Sequence, residues 1–366
     1  MKKTLILLLA FAILSGLFTA CGTQEASESS PEHEEANRIV EDCLGRQVEV
    51  PGVVDSIVAL GNTPRMITYL GLADRVVGLS GMQDPQSITP FIAYAYANKE
   101  LWAALPSTGT DATGNTDYYP EVIISVKPDV VFCSYTEDIV EDIERKTGIP
   151  VVAVPMGTLF AEDYEQGLRI IAEVCGIEEK AEELISYINT SLQDLNDRTA
   201  DLDSPKVLAA AATFKGTHGI EGVRVKDPLL TALNAENVAA GITEAEAAVV
   251  DKEQIIAWNP EFIFFDSGGM ELVNLDYKDN PRYYEKLSAY QNERLYQYPS
   301  ATSYFANVEI SLANCYYVGS LLYPEKFEDI NIEEKANEIF KFFLGSDDYL
   351  SVLEEFEAGY SEVKLG

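Results

Sequence analysis

The most constraining feature of this 366-residue sequence is a phrase written twice, once on each side of a long helical stretch. The first copy runs from Tyr119 to Phe132 (YPEVIISVKPDVVF) and the second from Asp251 to Phe264 (DKEQIIAWNPEFIF). In each, an Ile-Ile pair follows a glutamate by two to three residues, and a proline follows it by seven: Glu121 with Pro128, Glu253 with Pro260. An acid and an apolar run come next. Between the copies, Ile177 to Ala200 has neither Pro nor Gly, and Ile177, Ala181, Leu184, Ile185, Ile188, Leu192 and Leu195 fall at the three-and-four spacing of one buried helical stripe. Such a helix is about 36 Å long, roughly the width of a small domain. One helix separating two copies of one unit predicts two similar lobes joined by a stiff strut. The alternative is a long surface helix inside one large domain.

A length of 366 residues suits two ordinary domains, and 47% hydrophobic with 23% charged residues is enough for both to bury a core. Twenty-six basic against sixty acidic residues leave a net charge of −34, which excludes a nucleic-acid partner, since that affinity rests on Lys and Arg at phosphates. It also argues against lying on an anionic membrane face. The start reads as a targeting segment: Met-Lys-Lys, an apolar run from Leu5 to Leu17, then Phe18-Thr19-Ala20-Cys21-Gly22. This resembles a bacterial lipoprotein signal, with Cys21 as the lipidated residue and Phe18 standing where Leu is usual. A plain secretory signal with an incidental Cys is the alternative. Several acyl chains, at about 0.8 kcal/mol per buried CH₂, would hold the chain at a membrane. Residues 1–20 are thus a signal peptide, and 21–38 an acidic, Ser-rich flexible tether. The folded part divides into an N-terminal α/β lobe (39–175), the connecting helix (176–202) and a C-terminal α/β lobe with a helical tail (203–366).

Short apolar strands alternate with helices through both lobes, the pattern of mainly parallel sheets covered on both faces. Ile39 to Val50 reads as two short strands around Leu44-Gly45-Arg46, and Ser107 to Thr116 as a polar loop. Cys43, Cys133, Cys175 and Cys315 form no CxxC pair and read as small buried hydrophobes, so a metal site built from them is not expected.

In parallel sheets, ligands sit beyond the carboxyl ends of strands. Loops meeting that rule carry Asn62, Thr63, Met82, Thr110 and Tyr135 in the first lobe, and Lys215, His218, Arg224, Ser267, Tyr304 and Asn307 in the second. Thr213 to Lys226 is the electrostatic exception, with Lys215, His218, Arg224 and Lys226 against Glu221 alone. Its glycines would let backbone N–H groups face an anionic ligand or a metal complex bearing carboxylates. A surface loop with chance basic residues is the alternative. His218 is the one histidine of the folded part, and a lone histidine is more often structural than a ligand; with Tyr304 it is the candidate for contact with a bound metal. Enzyme readings find little support: there is no Gly-x-Ser-x-Gly, no His-Glu-x-x-His and no P-loop. Glu121 and Glu253 occupy equivalent places and would present two matched carboxylates on one face, suited to matched arginines of a two-fold partner. As the plainer reading, each stabilises its helix N-terminus, and Asp251 with Gln254 fits a capping box.

These residues resemble a known family: the substrate-binding lipoproteins of ABC importers for iron complexes and cobalamin. The likeness covers most of the chain after residue 39. It is carried by DCLGRQVEVP from Asp42, SIVALG from Ser56, EVIISVKPDVV from Glu121, TGIPVV from Thr147, LNAENVA from Leu233 and EQIIAWNP from Glu253. The resemblance implies two Rossmann-like α/β lobes joined by one long rigid helix, with the ligand in the cleft between them and little motion. It implies that Glu121 and Glu253 dock on arginines of a membrane permease, itself paired with an ATPase. It further implies a monomer without catalysis or resident cofactor, held outside the cytoplasm by its lipid and carrying a ferric siderophore-type complex. Molybdate or tungstate, haem or a corrinoid are the alternative ligands of that family. A cell-surface adhesion or enzyme module is the alternative of a different class, and it would not need the paired glutamates. Relatives often carry Thr-Glu where this chain has Pro64-Arg65, so any role of that acid is absent here.

Overall fold

The computed structural model describes residues 36–81, 88–112, 115–303 and 305–365. Cys21, the signal, most of the tether, Met82 and Tyr304 lie outside them. No described helix is long and apolar enough to cross a membrane.

The sheets fall on either side of the connecting helix, as the duplicated phrase predicts. The first contains, in spatial order, Asn115–Tyr118, Ser107–Ala112, Val76–Ser80, Ile57–Ala59, Val130–Cys133 and Val151–Ala153. All its pairings are parallel except the hairpin Ser107–Ala112 with Asn115–Tyr118. The second orders Ala247–Val249, Gly222–Arg224, Lys206–Ala210, Phe262–Asp266, Leu295–Tyr298 and Ser361–Glu362, with Glu236–Asn237 beside Lys206–Ala210. Its parallel centre is Lys206–Ala210, Phe262–Asp266 and Leu295–Tyr298. These central strands are mainly apolar because helices cover both faces, and all their residues but Lys206 and Tyr296 are buried. The opening residues form the expected antiparallel pair, Arg38–Glu41 with Gln47–Val50.

Within Ser107 to Thr116, expected as a loop, Ser107–Ala112 instead pairs antiparallel with Asn115–Tyr118 at the edge of the first sheet. Its alternating threonines suit a pleated surface. Gly109 is required there, since a Cβ would lie 2.5 Å from the Asp117 carbonyl oxygen.

The connecting helix spans Glu178–Thr199, 22 residues, and buries Ala181, Leu184, Ile185, Ile188, Ser191, Leu195 and Thr199. It lies against Glu162–Cys175, which precedes it, and against Pro228–Ala232 and Val308–Leu322 of the second half. Burial of Leu184 and Leu195, both without exposed surface, stabilises it by roughly 1.5–3 kcal/mol each. Its surface pairs Lys180–Glu183 and Asp194–Arg198 contribute only about 0.3–0.5 kcal/mol apiece. Packing, not surface charge, seats it.

Helix Val308–Leu322 is buried along almost its whole length and lies at the centre of one continuous core that draws residues from both sheets. The tail helices Ile332–Leu344 and Tyr349–Glu355, separated at Gly345 with φ +70°, do not stay with the second sheet. Phe343 meets Tyr69 of the first half edge-on at 5.2 Å, and Tyr349 Oη donates to the Pro90 carbonyl at 2.7 Å. Residues 35–366 accordingly form one compact unit.

Candidate functional site: two matched glutamates and a walled cavity

The repeated phrase folds the same way twice. Helices Pro120–Val126 and Lys252–Trp258 end at Lys127 (φ +51°) and Asn259 (φ +47°), both left-handed, and strands Val130–Cys133 and Phe262–Asp266 follow. Ile123 and Ile255 are fully buried, while Glu121 and Glu253 are exposed in the first turns. Among the described residues, neither glutamate accepts a hydrogen bond or an ion pair. The capping box does not form: Asp251 makes no side-chain cap bond, and the backbone N–H of Gln254 donates to the Asp251 carbonyl instead. Both carboxylates stand free at helix N-termini, where the helix dipole favours them.

The inner face of the first sheet is closed over. At the point where its strand order reverses, the Asn62 backbone N–H donates to Ser134 Oγ at 2.8 Å, joining the ends of two central strands. Arg65, on helix Thr63–Tyr69, is 1% exposed. Its Nε donates to Asn307 Oδ1 at 2.9 Å, its Nη1 to Asn62 Oδ1, and its guanidinium lies 4.7 Å from the centre of the Tyr94 ring. Asn307 Nδ2 in turn donates to the Phe91 carbonyl at 2.9 Å. Two sequence candidates from opposite halves, Asn62 and Asn307, are thus tied together by an arginine absent from the candidate set. Thr63 is fully buried and donates to the Leu60 carbonyl at 2.9 Å; Thr110 pairs with Tyr119 Oη at 2.6 Å. Tyr135 is half-buried beside Gly61.

Beside Arg65, Glu309 has no exposed surface. Tyr69 Oη donates to its Oε2, while its Oε1 has no partner among the described residues. Burial pushes this carboxyl up to about 7, against the opposing pull of the Tyr69 hydrogen bond and the Arg65 charge.

The second half presents an open cavity. Thr213 to Lys226 is only partly a loop, because Gly222–Arg224 pairs with Ala247–Val249. His218 is half-buried, stacked on Phe214 at 4.3 Å, with its Nε2 2.9 Å from the Phe214 carbonyl oxygen. Lys215 is exposed with φ +49°. Arg224 points inward: its Nη2 donates to Thr302 Oγ1 at 2.9 Å and to the Thr213 carbonyl at 3.2 Å. Ser267 Oγ accepts from the Ser300 backbone N–H at 3.0 Å.

Arg224 lines a cavity of about 360 Å³ together with Lys226, Asp227, Glu246 and Asp266. Asp227 and Asp266 sit at turns, capping the N–H groups of Leu229 and Gly268. Burial raises both carboxyls above the usual range, and the Arg224 charge opposes that. Helix Val308–Leu322 supplies Ser311 and Asn314, 2% and 1% exposed. Asn314 Nδ2 donates to the Pro299 carbonyl at 2.9 Å, which leaves Oδ1 turned away; Oδ1 and Ser311 Oγ have no partner among the described residues. Buried polar atoms without partners carry a desolvation cost of about 1–3 kcal/mol each, and these two belong to residues of one cavity wall.

Arg224 is the one described sequence candidate on this wall. The first half contributes Thr158 and Leu159, beyond the carboxyl end of strand Val151–Ala153. The strand-end rule covers that loop as well. Asp227-Pro228 was legible as a helix start; Ser311 and Asn314 carried no signal, since they look like ordinary helix positions. Among the described residues no three His, Cys, Asp or Glu side chains gather to hold a metal. The four described cysteines are free, and burial raises all four thiols, Cys43 to about 11, Cys133 and Cys175 to about 12, and Cys315 well above the usual thiol range.

Two α/β sheets, one connecting helix and a cavity at the ends of strands Gly222–Arg224, Phe262–Asp266 and Leu295–Tyr298 are the arrangement of a solute-binding protein. The chain belongs to the periplasmic binding protein family, whose model matches residues 57–302. It is 22% identical over 356 residues to the molybdate-binding protein MolA of Haemophilus influenzae, covering 90% of this chain and 96% of that one. The structure of MolA bound to molybdate superposes with a TM-score of 0.65 at 21% identity, over 84% of this chain and 98% of the other. An uncharacterized ABC transporter substrate-binding lipoprotein of Bacillus subtilis, YvrC, is 24% identical over 308 residues, 81% of this chain and 90% of its own. Helicobacter pylori CeuE with Ni(II) bound shares the fold at a TM-score of 0.62 and 18% identity, over 87% and 99% of the two chains.

Proposed function

We propose that this chain is the extracytoplasmic receptor of an ABC importer, anchored through lipid on Cys21. It takes up a metal complex wrapped in organic ligands, of ferric siderophore type, and passes it to the permease and its ATPase. The observation that carries the choice of ligand is the cavity's mixed charge. Arg224 and Lys226 face three carboxylates, Asp227, Glu246 and Asp266, and the unpartnered Asn314 Oδ1 is an acceptor. A bare dianion meets more repulsion than attraction there, while a complex presenting both donors and acceptors finds partners for each. A volume of about 360 Å³ falls at the lower end of small-molecule sites, which span about 300–1,000 Å³.

The second reading is an oxyanion, and likeness to a molybdate-binding protein favours it. Calorimetric titration with ferric tris-hydroxamate and with molybdate separates the two. Micromolar or tighter binding of the ferric complex, with no heat from molybdate, supports the first reading; the reverse overturns it. Absorption of protein purified from its host adds a check, since a ferric siderophore gives a broad visible band, haem a Soret band and an oxyanion none. Glu121 and Glu253 would meet permease arginines, one from each half.

A further inference from the structure

Next to the polar cavity, and sharing Leu159, Lys226, Asp227 and Pro228 with it, runs an open groove of about 600 Å³. Its lining carries fewer charges, Lys226 and Asp227 against the five charged side chains of the cavity. Leu192 of the connecting helix forms one side, Leu230 and Phe160 others, and Ala235, Ala240 and Gly241 leave the floor low. Phe160 holds φ +60°, a conformation rare for a bulky side chain, at the place where the groove and the cavity meet along Leu159. Strained positions of this kind cluster at ligand clamps.

We infer that the groove is a second compartment of the binding site, one that takes an apolar acyl or aryl arm of the ligand whose polar head occupies the cavity. This rests on the reading of the cavity as the ligand site. The four shared wall residues place the two spaces side by side, within reach of one molecule. Small side chains on the groove floor leave width for an arm, and the apolar walls remove it from water. A bare oxyanion has no group to place there. The compartment therefore selects for the body of the ligand, while Arg224, Ser311 and Asn314 select for its head.

The test compares two ferric tris-hydroxamate probes, one from acetohydroxamate and one from octanohydroxamate, on the full chain. The octanoyl complex should bind at least tenfold more tightly. Ala240→Trp, at an exposed groove position, should bring the ratio of the two affinities close to one; Thr231→Trp, also exposed, is the second variant should the first fold poorly. A ratio that stays tenfold in both variants overturns the inference, as does a ratio near one in the unmodified chain. Neutral Nile red serves as a probe that needs no head. If neither ferric complex binds but Nile red fluoresces and is displaced by Ala240→Trp, the ferric reading fails and the compartment stands. If Nile red also fails to bind, or its site is filled by a second copy on sedimentation, the compartment falls.

Discussion

The outer and inner faces of the two halves differ in how far they match. On the outside, the repeated units agree down to buried Ile123 and Ile255, left-handed Lys127 and Asn259, and exposed Glu121 and Glu253. On the inside the halves have diverged. The first closes over Arg65 with a net of hydrogen bonds, whereas the second keeps a cavity with orphaned Ser311 and Asn314. On the proposed reading, a partner that meets both halves would hold the outer units alike, while the cargo would touch the inner faces, where nothing demands symmetry.

The largest effect should come from breaking the outer match. Glu121→Lys with Glu253→Lys should abolish uptake in cells while changing ligand affinity less than twofold in titration; uptake at normal rates would remove the docking role. On the closed inner face, Arg65→Ala leaves buried Asn62 and Asn307 without their charged partner, and should cost about 1–3 kcal/mol for each amide oxygen so left, read in denaturant unfolding. A cost under about 1 kcal/mol would mean that the net contributes little, as an exposed pair would.

The pH dependence probes the same face. Glu309 is raised to about 7 when folded, against an ordinary value of 4.5, so the folded state holds the proton more tightly than the unfolded chain. Its contribution to stability is complete below pH 4.5 and is lost as pH rises through 7, about 3 kcal/mol over that window. Glu309→Gln should flatten the unfolding profile between those values, and an unchanged slope refutes the assignment. On the open face, Arg224→Met should weaken ligand binding about 10- to 100-fold, the range of a hydrogen bond from a charged group. The smallest effect is expected at His218, already engaged by Phe214. His218→Ala should leave the visible spectrum of the bound complex unaltered, and loss of the band would make it a metal ligand.

Much of the fold was legible because periodicity and duplication are local signals. Pro120 starting a helix, Gly345 ending one and the spacing of Leu184, Ile188 and Leu195 each act within a few residues. Ser107–Ala112 was misread because polar threonines at a sheet edge look like a loop until their partner strand is known. The candidate site was legible in part. Arg224 stood out as a basic residue in an acidic chain, but Arg65 looked like a missing acid and proved to be the tie between Asn62 and Asn307, residues 3 and 242 positions away.

By itself, then, the sequence determined two α/β halves, the helix between them and a matched pair of exposed glutamates, since each follows from patterns no longer than a helix or strand. Only the tertiary structure decided which inner face is closed and which open. That depends on contacts such as Arg65 with Asn307, and on Ser311 and Asn314 turning toward strand ends far away in the chain. Burial converts an ordinary serine or asparagine into an unmet demand for a hydrogen bond, and burial is set by the packing of the whole chain.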